Sequence, residues 1–166
     1  MPARTPESTP VDPATLDIGH LALFVGQAFS EAVLVALAAA GHGELRSSHG
    51  FVIQHVIDAD RTIGELAERM QVTQQGASKA VAELEALGYF ERIADPDDAR
   101  IRRVHLSPRG REAVQVTRAA RDKIARQLTA RIGEAASTTC RRTLARMLEA
   151  LGAGQAVRQR KVPVPR

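Results

Sequence analysis

The chain has 166 residues, enough for one domain with helical extensions around a buried core. Apolar residues make up 44% of it and charged residues 25%, which is typical of a soluble globular protein. With four Phe, one Tyr and no Trp, the composition argues against a module that binds single strands by stacking bases on aromatic rings.

The charge is unevenly distributed. The formal net charge is +4, yet residues 1–60 hold two basic and seven acidic residues, a net −5, while residues 100–146 hold thirteen basic and three acidic residues, a net +10. This separation of acidic and basic residues along the chain indicates that one region binds a polyanion. A solvated basic helix face is the alternative on charge alone.

The two ends differ from the middle in composition. Four of the eight prolines fall within the first thirteen residues, and two more lie in the basic C-terminal stretch. Residues 1–15 and 153–166 are therefore predicted to be disordered arms, the second basic enough for weak nonspecific DNA contact. The single Cys140 cannot form an intramolecular disulfide and no secretory leader is visible, so we expect a cytoplasmic protein.

Helix 1 is predicted over residues 16–40 and is apolar nearly all round. It has the length of a membrane span but carries Gln27, Ser30 and Glu31 near its middle, where a charge costs roughly 2.5 to 3.5 kcal/mol on insertion scales. We therefore expect a helix buried in a protein interface, and no membrane contact.

A helix-turn-helix is predicted next. Helix 2 is expected from Ser47 or Ser48 as N-cap to about residue 57, and the Thr62 and Glu65 capping box predicts a short helix 3. Thr73 then caps helix 4, which carries an inward stripe of apolar residues and ends near Gly88. Its stripe consists of Ala77, Val81 and Leu84. Two short helices joined by a tight turn are typical of DNA-binding proteins, with an ordinary helical hairpin as the alternative.

The following stretch predicts a β-hairpin. YFERIA and IRRVHL read as strands, and the charged residues 95–100 form the tip between them. Ser107 and Pro108 then supply an N-cap and a proline at the first helical position, where its missing N–H is harmless. A hairpin directly after the recognition helix is the layout of a winged helix-turn-helix.

Two long helices complete the predicted fold. Helix 5 is expected over residues 108–132 and helix 6 after Gly133, each with an apolar stripe. The stripes are Val116, Ala120, Ile124, Leu128 and Ile132 on helix 5, and Cys140, Leu144, Met147, Leu148 and Leu151 on helix 6. Helices 1, 5 and 6 carry more apolar surface than a DNA-binding core could cover, which predicts a homodimer.

These residues resemble the MarR (multiple antibiotic resistance regulator) family of winged-helix repressors. The resemblance rests on the segment from TIGELAERM to HLSPRG, above all on Asp98-x-Arg100 followed by Leu106-Ser107-Pro108-x-Gly110. It implies a mainly α fold with a small β-hairpin wing and N- and C-terminal dimerisation helices. Residues 16–46 and 108–152 would then form the dimer and residues 47–107 the DNA-binding domain.

The resemblance also implies a binding mode. Each recognition helix would enter a major groove, each wing would reach the flanking minor groove, and an effector would lodge between the dimerisation helices and the winged domain. This sequence departs from the family pattern at Glu83 and in the Gln-Gln-Gly start of helix 4, which leaves the operator sequence open.

The chemistry of the candidate contacts suits duplex DNA. An arginine at the wing, Arg100, suits a narrow minor groove, Asp98 can accept a hydrogen bond from it, and Arg102 and Arg103 suit phosphate. On helix 4, glutamine pairs with adenine and lysine with guanine. The candidate contacts there are Thr73, Gln74, Gln75, Ser78 and Lys79.

The sequence gives less support for metal binding, catalysis or thiol chemistry. The five histidines lack a ligand set at metal spacing, so we expect no metal or other cofactor, and no catalytic motif predicts an enzyme. Phe24, His49 and His55 are the candidate residues of an effector cavity, and Cys140 is expected to be a small buried hydrophobe.

The predicted function is a ligand-responsive, homodimeric transcriptional repressor, located in the cytoplasm and on the nucleoid when bound to DNA. Its operator would be a pseudo-palindrome and its effector a small aromatic or lipophilic molecule. The alternative is a winged-helix module that docks a protein and has no specific DNA binding.

Overall fold

The computed structural model describes residues 10–162. Seven α-helices and one antiparallel hairpin make up this part of the chain, after a 3-10 turn at Pro13–Thr15. The elements are α1 (Ile18–Ala39), α2 (Ser47–Ile53), α3 (Ile63–Met70), α4 (Gln74–Ala86), β1 (Phe90–Ala94), β2 (Arg102–Leu106), α5 (Pro108–Ile132), α6 (Glu134–Ala150) and α7 (Gly154–Arg158). The fold is mainly helical with a small β-hairpin wing, as the sequence predicts.

Local hydrogen bonds set the ends of the helix-turn-helix. The Thr62 hydroxyl accepts the Glu65 amide at 3.2 Å, and the Glu65 carboxylate accepts the Thr62 amide at 2.7 Å, which confirms the capping box. The Thr73 hydroxyl accepts the amide of Gly76 at 3.1 Å and starts α4. The start of each helix is therefore determined by side chains within its own first turn.

A third backbone segment, at Arg61, pairs with the two-stranded wing. β1 pairs with β2 from Phe90 opposite Leu106 to Ala94 opposite Arg102. Arg61 adds an isolated antiparallel bridge to Val104, with N···O distances of 3.1 and 2.7 Å. Arg61 directly precedes the capping box of α3. Its hydrogen bonds to β2 therefore fix the position of the wing relative to the helix-turn-helix.

The core lies beneath α4 and the wing. Its side chains come from helices α1 to α5, from both strands and from the loops between them, and six of its apolar residues have no exposed surface. These are Leu66, Ala77, Val81, Leu84, Tyr89 and Val104. Ala77, Val81 and Leu84 were predicted as the inward stripe of α4, and the structure buries all three.

Close contacts attach α5 to this core. The Ser107 hydroxyl donates to the Gly88 carbonyl at 2.6 Å and accepts the Gly110 amide at 3.0 Å, so one side chain both caps α5 and fastens it to the end of α4. A Cβ atom on Gly110 would lie 2.2 Å from the Tyr89 carbonyl oxygen. Only glycine allows the first turn of α5 to pass this close to the strand.

Arg109 adds a second attachment at the same junction. Its guanidinium lies 4.7 Å from the centroid of the Tyr89 ring and donates to the Leu87 carbonyl at 3.0 Å and to the Glu44 carboxylate at 2.9 Å. It therefore connects the loop after α1, the end of α4 and the start of α5.

The terminal helices are incompletely covered. In α1 only Val33 and Leu37 are buried, and in α6 no residue is buried. The α1 helix is long and apolar enough to cross a membrane by length and composition, and 11% of its most apolar window is buried. Cys140 is exposed, contrary to the prediction of a core position, because α6 packs against α5 and α7 and its apolar stripe stays open.

Two predicted boundaries were wrong. Helix 2 begins with Arg46 as its N-cap and ends at Ile53. The residues after Ile53 form i→i+3 turns, and the Arg61 side chain donates to the His55 carbonyl at 2.6 Å.

The predicted disordered tail contains α7. The carbonyls of Gln159 and Arg160, the two residues after α7, accept from Arg69 at 2.9 and 3.3 Å, a long-range contact that the local sequence does not reveal.

Candidate nucleic-acid interface

The exposed face of α4 carries the predicted recognition residues. Gln74, Gln75 and Lys79 are exposed, and Ser78 is half-buried. Thr73 is exposed too, but its hydroxyl is already engaged as the N-cap acceptor. These side chains lie on the helix surface opposite the buried stripe, so the structure brings them together on one face.

Glu83 lies further along the exposed part of α4 and was not among the predicted contacts. Its carboxylate forms an ion pair with Arg46, the N-cap residue of α2, and lies 3.4 Å from the Nε2 atom of His49. The Nδ1 atom of His49 accepts the Arg46 amide at 3.2 Å, and its Nε2 atom lies 3.1 Å from the Arg46 guanidinium. The negative charge that departs from the family pattern is thus compensated by α2.

One aspartate organises the wing tip. The Asp95 carboxylate is buried, accepts the amides of Asp97 and Asp98 at 2.9 and 3.3 Å, and forms an ion pair with Arg103. The Asp97 amide, then the Arg103 guanidinium and the Asp98 amide, lower the pKa of Asp95 below its usual range. Asp95 is therefore charged at neutral pH and holds the turn in shape.

Asp98 and Arg100 interact through the backbone. The Asp98 carboxylate accepts the Arg100 amide at 2.9 Å, and the guanidinium of Arg100 remains exposed. Asp98 was expected to position the Arg100 side chain directly. It orders the peptide that carries Arg100, which leaves the guanidinium free to reach outward from the tip.

The three wing arginines differ in their surroundings. Arg100 and Arg102 are exposed and form no ion pair among residues 10–162. Arg103 is half-buried, pairs with Asp95, lies 3.3 Å from the Glu65 carboxylate and donates to the Asp60 carbonyl at 3.3 Å. Arg103 was predicted as a DNA contact, and in the structure its guanidinium connects the wing tip to the start of α3.

A cavity of about 440 Å³ lies between α1, α2 and α5. Most of its lining is apolar, with Leu37, Phe51 and Ile57 among the contributing side chains, and Arg46, Arg118 and Arg121 lie at its walls. This is the boundary between the terminal helices and the winged region where the family resemblance places an effector. A cavity of this size can hold a small organic molecule.

The predicted effector residues do not line this cavity. Phe24 is 48% exposed on α1, and His49 is buried toward Arg46 and Glu83. His55 is fully buried beside Arg69, and its pKa is lowered first by burial and then by the Arg69 charge. Arg46, Arg118 and Arg121 line the cavity and were not among the predicted effector residues; in the sequence, two of them share an i, i+3 spacing on α5.

Residues 10–162 contain no group of three or more His, Cys, Asp or Glu side chains placed to hold a metal ion. Cys140 faces a groove between α1 and α6, beside Leu144 and Val25.

Together, the helix pair, the hairpin after it and the terminal helices define a winged helix-turn-helix protein. Residues 44–101 match the sequence model of the MarR family. The winged-helix region of this chain is therefore similar in sequence to the MarR family.

Solved structures extend the similarity to most of the chain. It resembles a MarR-family transcriptional regulator from Rhodococcus sp. RHA1, with 25% identity, a TM-score of 0.56, and coverage of 79% of this chain and 91% of that one. It resembles S. aureus MepR in a DNA complex, with 18% identity, a TM-score of 0.64, and coverage of 80% and 98%. Streptococcus pneumoniae FabT in complex with DNA shows 17% identity, a TM-score of 0.63, and coverage of 82% and 98%. Comparison with curated protein sequences gives no match.

Proposed function

We propose that this protein is a homodimeric, sequence-specific DNA-binding transcription regulator. The observation that carries the proposal is the placement of three exposed cations, Lys79 on α4 and Arg100 and Arg102 on the wing, none of which forms an ion pair among residues 10–162. The positive charges of many neighbouring arginines are compensated by carboxylates. Free cations on a recognition helix and a hairpin tip suit phosphates and groove edges.

Each part of this surface has a distinct task in the proposal. The side chains of Gln74, Gln75 and Lys79 read base edges in the major groove, and Ser78 contacts base or phosphate. Arg100 enters the minor groove beside it, where the negative potential is concentrated, and Arg102 contacts phosphate. Asp98 orders the peptide that carries Arg100, and Thr73 starts the helix.

Homodimerisation explains the exposed apolar face. Leu23 and Val25 on α1 are 53% and 60% exposed, and Leu144 and Leu148 on α6 are 42% and 41% exposed. A second copy would cover this face and place two recognition helices roughly one helical turn apart, about 10 bp, on a pseudo-palindromic operator. In this proposal residues 16–46 and 108–152 form the dimer and residues 47–107 contact DNA.

The proposed regulator is a repressor that a small effector releases. The apolar cavity lies between the terminal helices and the winged region, where a ligand can favour one arrangement of the two over another. MepR and FabT, two of the similar structures, are bound to DNA, which supports the proposed partner. We propose no enzymatic activity and a cytoplasmic location.

The test measures binding of the purified protein to its own upstream DNA and to genome-selected fragments across a salt series. We expect saturable binding in dimer stoichiometry, far tighter than to random DNA, with a steep negative dependence on salt because phosphate contacts release counterions. Equal, weak binding to every fragment would instead favour a winged-helix module that docks a protein.

Substitution of the wing arginine makes this test specific. Arg100→Ala should weaken operator binding by about 1 to 3 kcal/mol while the fold stays intact, the range for one base-reading arginine. The control is Arg131→Ala, an exposed arginine in the last turn of α5. Wild-type affinity in a folded Arg100→Ala protein would remove the wing from the mechanism.

A further inference from the structure

Glu83 continues the exposed strip of α4 that carries the proposed base contacts. Lys79 follows Gln75 by four residues and Glu83 follows Lys79 by four, and all three side chains are exposed. Residues at i and i+4 are neighbours on a helix surface, and four residues advance the helix by about 6 Å, close to the rise of two base pairs. A recognition helix that places Lys79 in the major groove therefore brings Glu83 to the base pairs beside it.

The two carboxylate oxygens of Glu83 have different surroundings. The Oε1 atom forms the ion pair with the Arg46 guanidinium and lies 3.4 Å from the Nε2 atom of His49. The Oε2 atom accepts no hydrogen bond from any residue in the range 10–162. Because the side chain is 44% exposed, Oε2 is free to accept a hydrogen bond from a partner outside the chain.

Arg46 and His49, at the start of α2, hold the Oε1 side of this carboxylate. The His49 side chain is buried, its Nδ1 atom accepts the Arg46 amide at 3.2 Å, and its Nε2 atom lies 3.1 Å from the Arg46 guanidinium. The Arg46 charge offsets that of Glu83, which the DNA phosphates would otherwise repel. The arrangement therefore orients the Glu83 side chain and lets a carboxylate approach DNA.

The major-groove edges of the four bases decide what a carboxylate can contact. Cytosine presents only an amino donor, at N4, whereas guanine and thymine present acceptors and adenine presents its donor beside the N7 acceptor. A carboxylate accepts hydrogen bonds and donates none, so the adenine N7 atom would repel it. Cytosine is therefore the base that suits the free Oε2 atom of Glu83.

We propose that Glu83 is a specificity-determining residue whose Oε2 atom accepts a hydrogen bond from the N4 amino group of a cytosine in each half-site. Arg46 is a positioning residue, since it contacts Glu83 and acts on the base through it. The proposed role of Glu83 rests on the proposed function, because it requires α4 to lie in the major groove. It adds the identity of one base pair in each half-site and the residue pair that selects it.

The experiment selects bound sequences from a randomised duplex pool, with the wild type and with Glu83→Gln, and measures affinities for the selected operator by fluorescence anisotropy. At one base pair in each half-site the wild type should prefer cytosine over adenine by about fivefold to thirtyfold, the effect of one mismatched base pair. Glu83→Gln should shift that preference to adenine, because an amide can both donate to N7 and accept from N6. Unchanged base preferences in Glu83→Gln overturn the proposal.

Glu68→Gln is the matched control for the loss of charge, because Glu68 is an exposed carboxylate on α3, outside the strip. Both variants lose one negative charge, so each should bind every duplex slightly more tightly. Only Glu83→Gln should also change the preferred base. If Glu83→Gln tightens binding to every sequence equally, as the control is expected to do, Glu83 acts through its charge alone and the proposal is wrong.

Variants of Arg46 test the positioning role. Arg46→Gln removes the ion-pair partner of Glu83, so the preference for cytosine over adenine should fall by about twofold to fivefold, the range that an exposed ion pair allows. Arg46→Lys keeps the charge and should restore most of the preference. A purely structural effect at the start of α2 would lower the melting temperature and leave the base preference unchanged. That result in a folded Arg46→Gln protein overturns the positioning role.

The selection separates two failures. If no sequence is enriched from the pool by the wild type, the proposed sequence-specific function fails, and the role of Glu83 fails with it. If an operator is enriched and its base preferences are the same in the wild type and in Glu83→Gln, only the role of Glu83 fails. Thermal melting by circular dichroism checks that each variant is folded.

Discussion

The winged region and the terminal helices differ in how they bury apolar surface. Leu66, Leu84 and Val104, in the winged region, have no exposed surface, whereas Val25 on α1 and Leu151 after α6 are 60% and 79% exposed. Both regions are rich in apolar side chains. Only the winged region has enough surrounding elements within one chain to cover them.

The difference indicates how each region is stabilised. The winged region buries its apolar side chains between its own helices and hairpin and against part of α1 and α5, so its fold depends on contacts within the chain. The terminal helices carry an open apolar stripe, and an exposed patch of that kind marks an interaction surface. Substitutions in the two regions should therefore have different consequences.

The largest effect is expected on the terminal helices. Leu144→Glu would place a carboxylate in the proposed dimer interface, where an uncompensated buried charge costs on the order of 3 to 5 kcal/mol. The variant should be monomeric by analytical ultracentrifugation, retain its helical circular dichroism, and lose operator affinity. Ala135→Glu, on the opposite side of α6, is the control and should remain dimeric. A dimeric Leu144→Glu protein would contradict the proposed interface.

The next effect is expected inside the winged region. In Gly110→Ala, the new methyl group would collide with the Tyr89 carbonyl at 2.2 Å, which should lower the free energy of unfolding by about 1 to 3 kcal/mol in urea denaturation. Gly50→Ala in α2, where a Cβ meets nothing within 4 Å, should be neutral or stabilising by up to about 1 kcal/mol. Equal stabilities of the two variants would show that α5 does not depend on this close approach.

A smaller, pH-dependent effect is expected at the wing. Because the folded-state pKa of Asp95 lies below its ordinary value of 3.8, the carboxylate stabilises the fold above that pH and loses its contribution as pH falls through the lower, folded-state pKa. Asp95→Asn should be less stable than wild type at pH 7, and the difference should shrink in acid. Asp97→Asn, at an exposed neighbouring position, should show no such convergence in melts between pH 2 and pH 7.

The smallest effect is expected at Cys140. Its thiol is exposed in the single chain but faces the groove between α1 and α6 that a second copy would cover. Cys140→Ser and wild type should therefore bind operator with the same affinity, before and after treatment with peroxide. Release of the wild type alone would assign the thiol a sensing role and would indicate that the groove stays open.

Local features of the fold could be predicted because their partners are close in sequence. Thr62 with Glu65, Thr73 and Ser107 are helix starts whose hydrogen-bond partners lie within a few residues. The buried stripe of α4 followed from helical period alone. The two strands of the wing followed from their alternation and from the turn residues between them.

Features built from distant residues could not be predicted. Arg103 resembles Arg100 in sequence, but its side chain turns inward to Asp95 and Glu65. Cys140 lies on an apolar stripe that one chain leaves open. The segment after the helix in the predicted disordered tail is hydrogen-bonded to Arg69, about 90 residues earlier. In each case the deciding partner lies on another element.

The sequence by itself determined the order of the elements, the winged helix-turn-helix and the face of α4 that is buried, because capping, periodicity and turn chemistry act over a few residues. Only the tertiary structure decided which charges are free. It paired Arg46 with Glu83 and Arg103 with Asp95, and left Lys79 and Arg100 exposed. An ion pair needs two groups within a few ångströms, and that distance is set by how helices and strands pack.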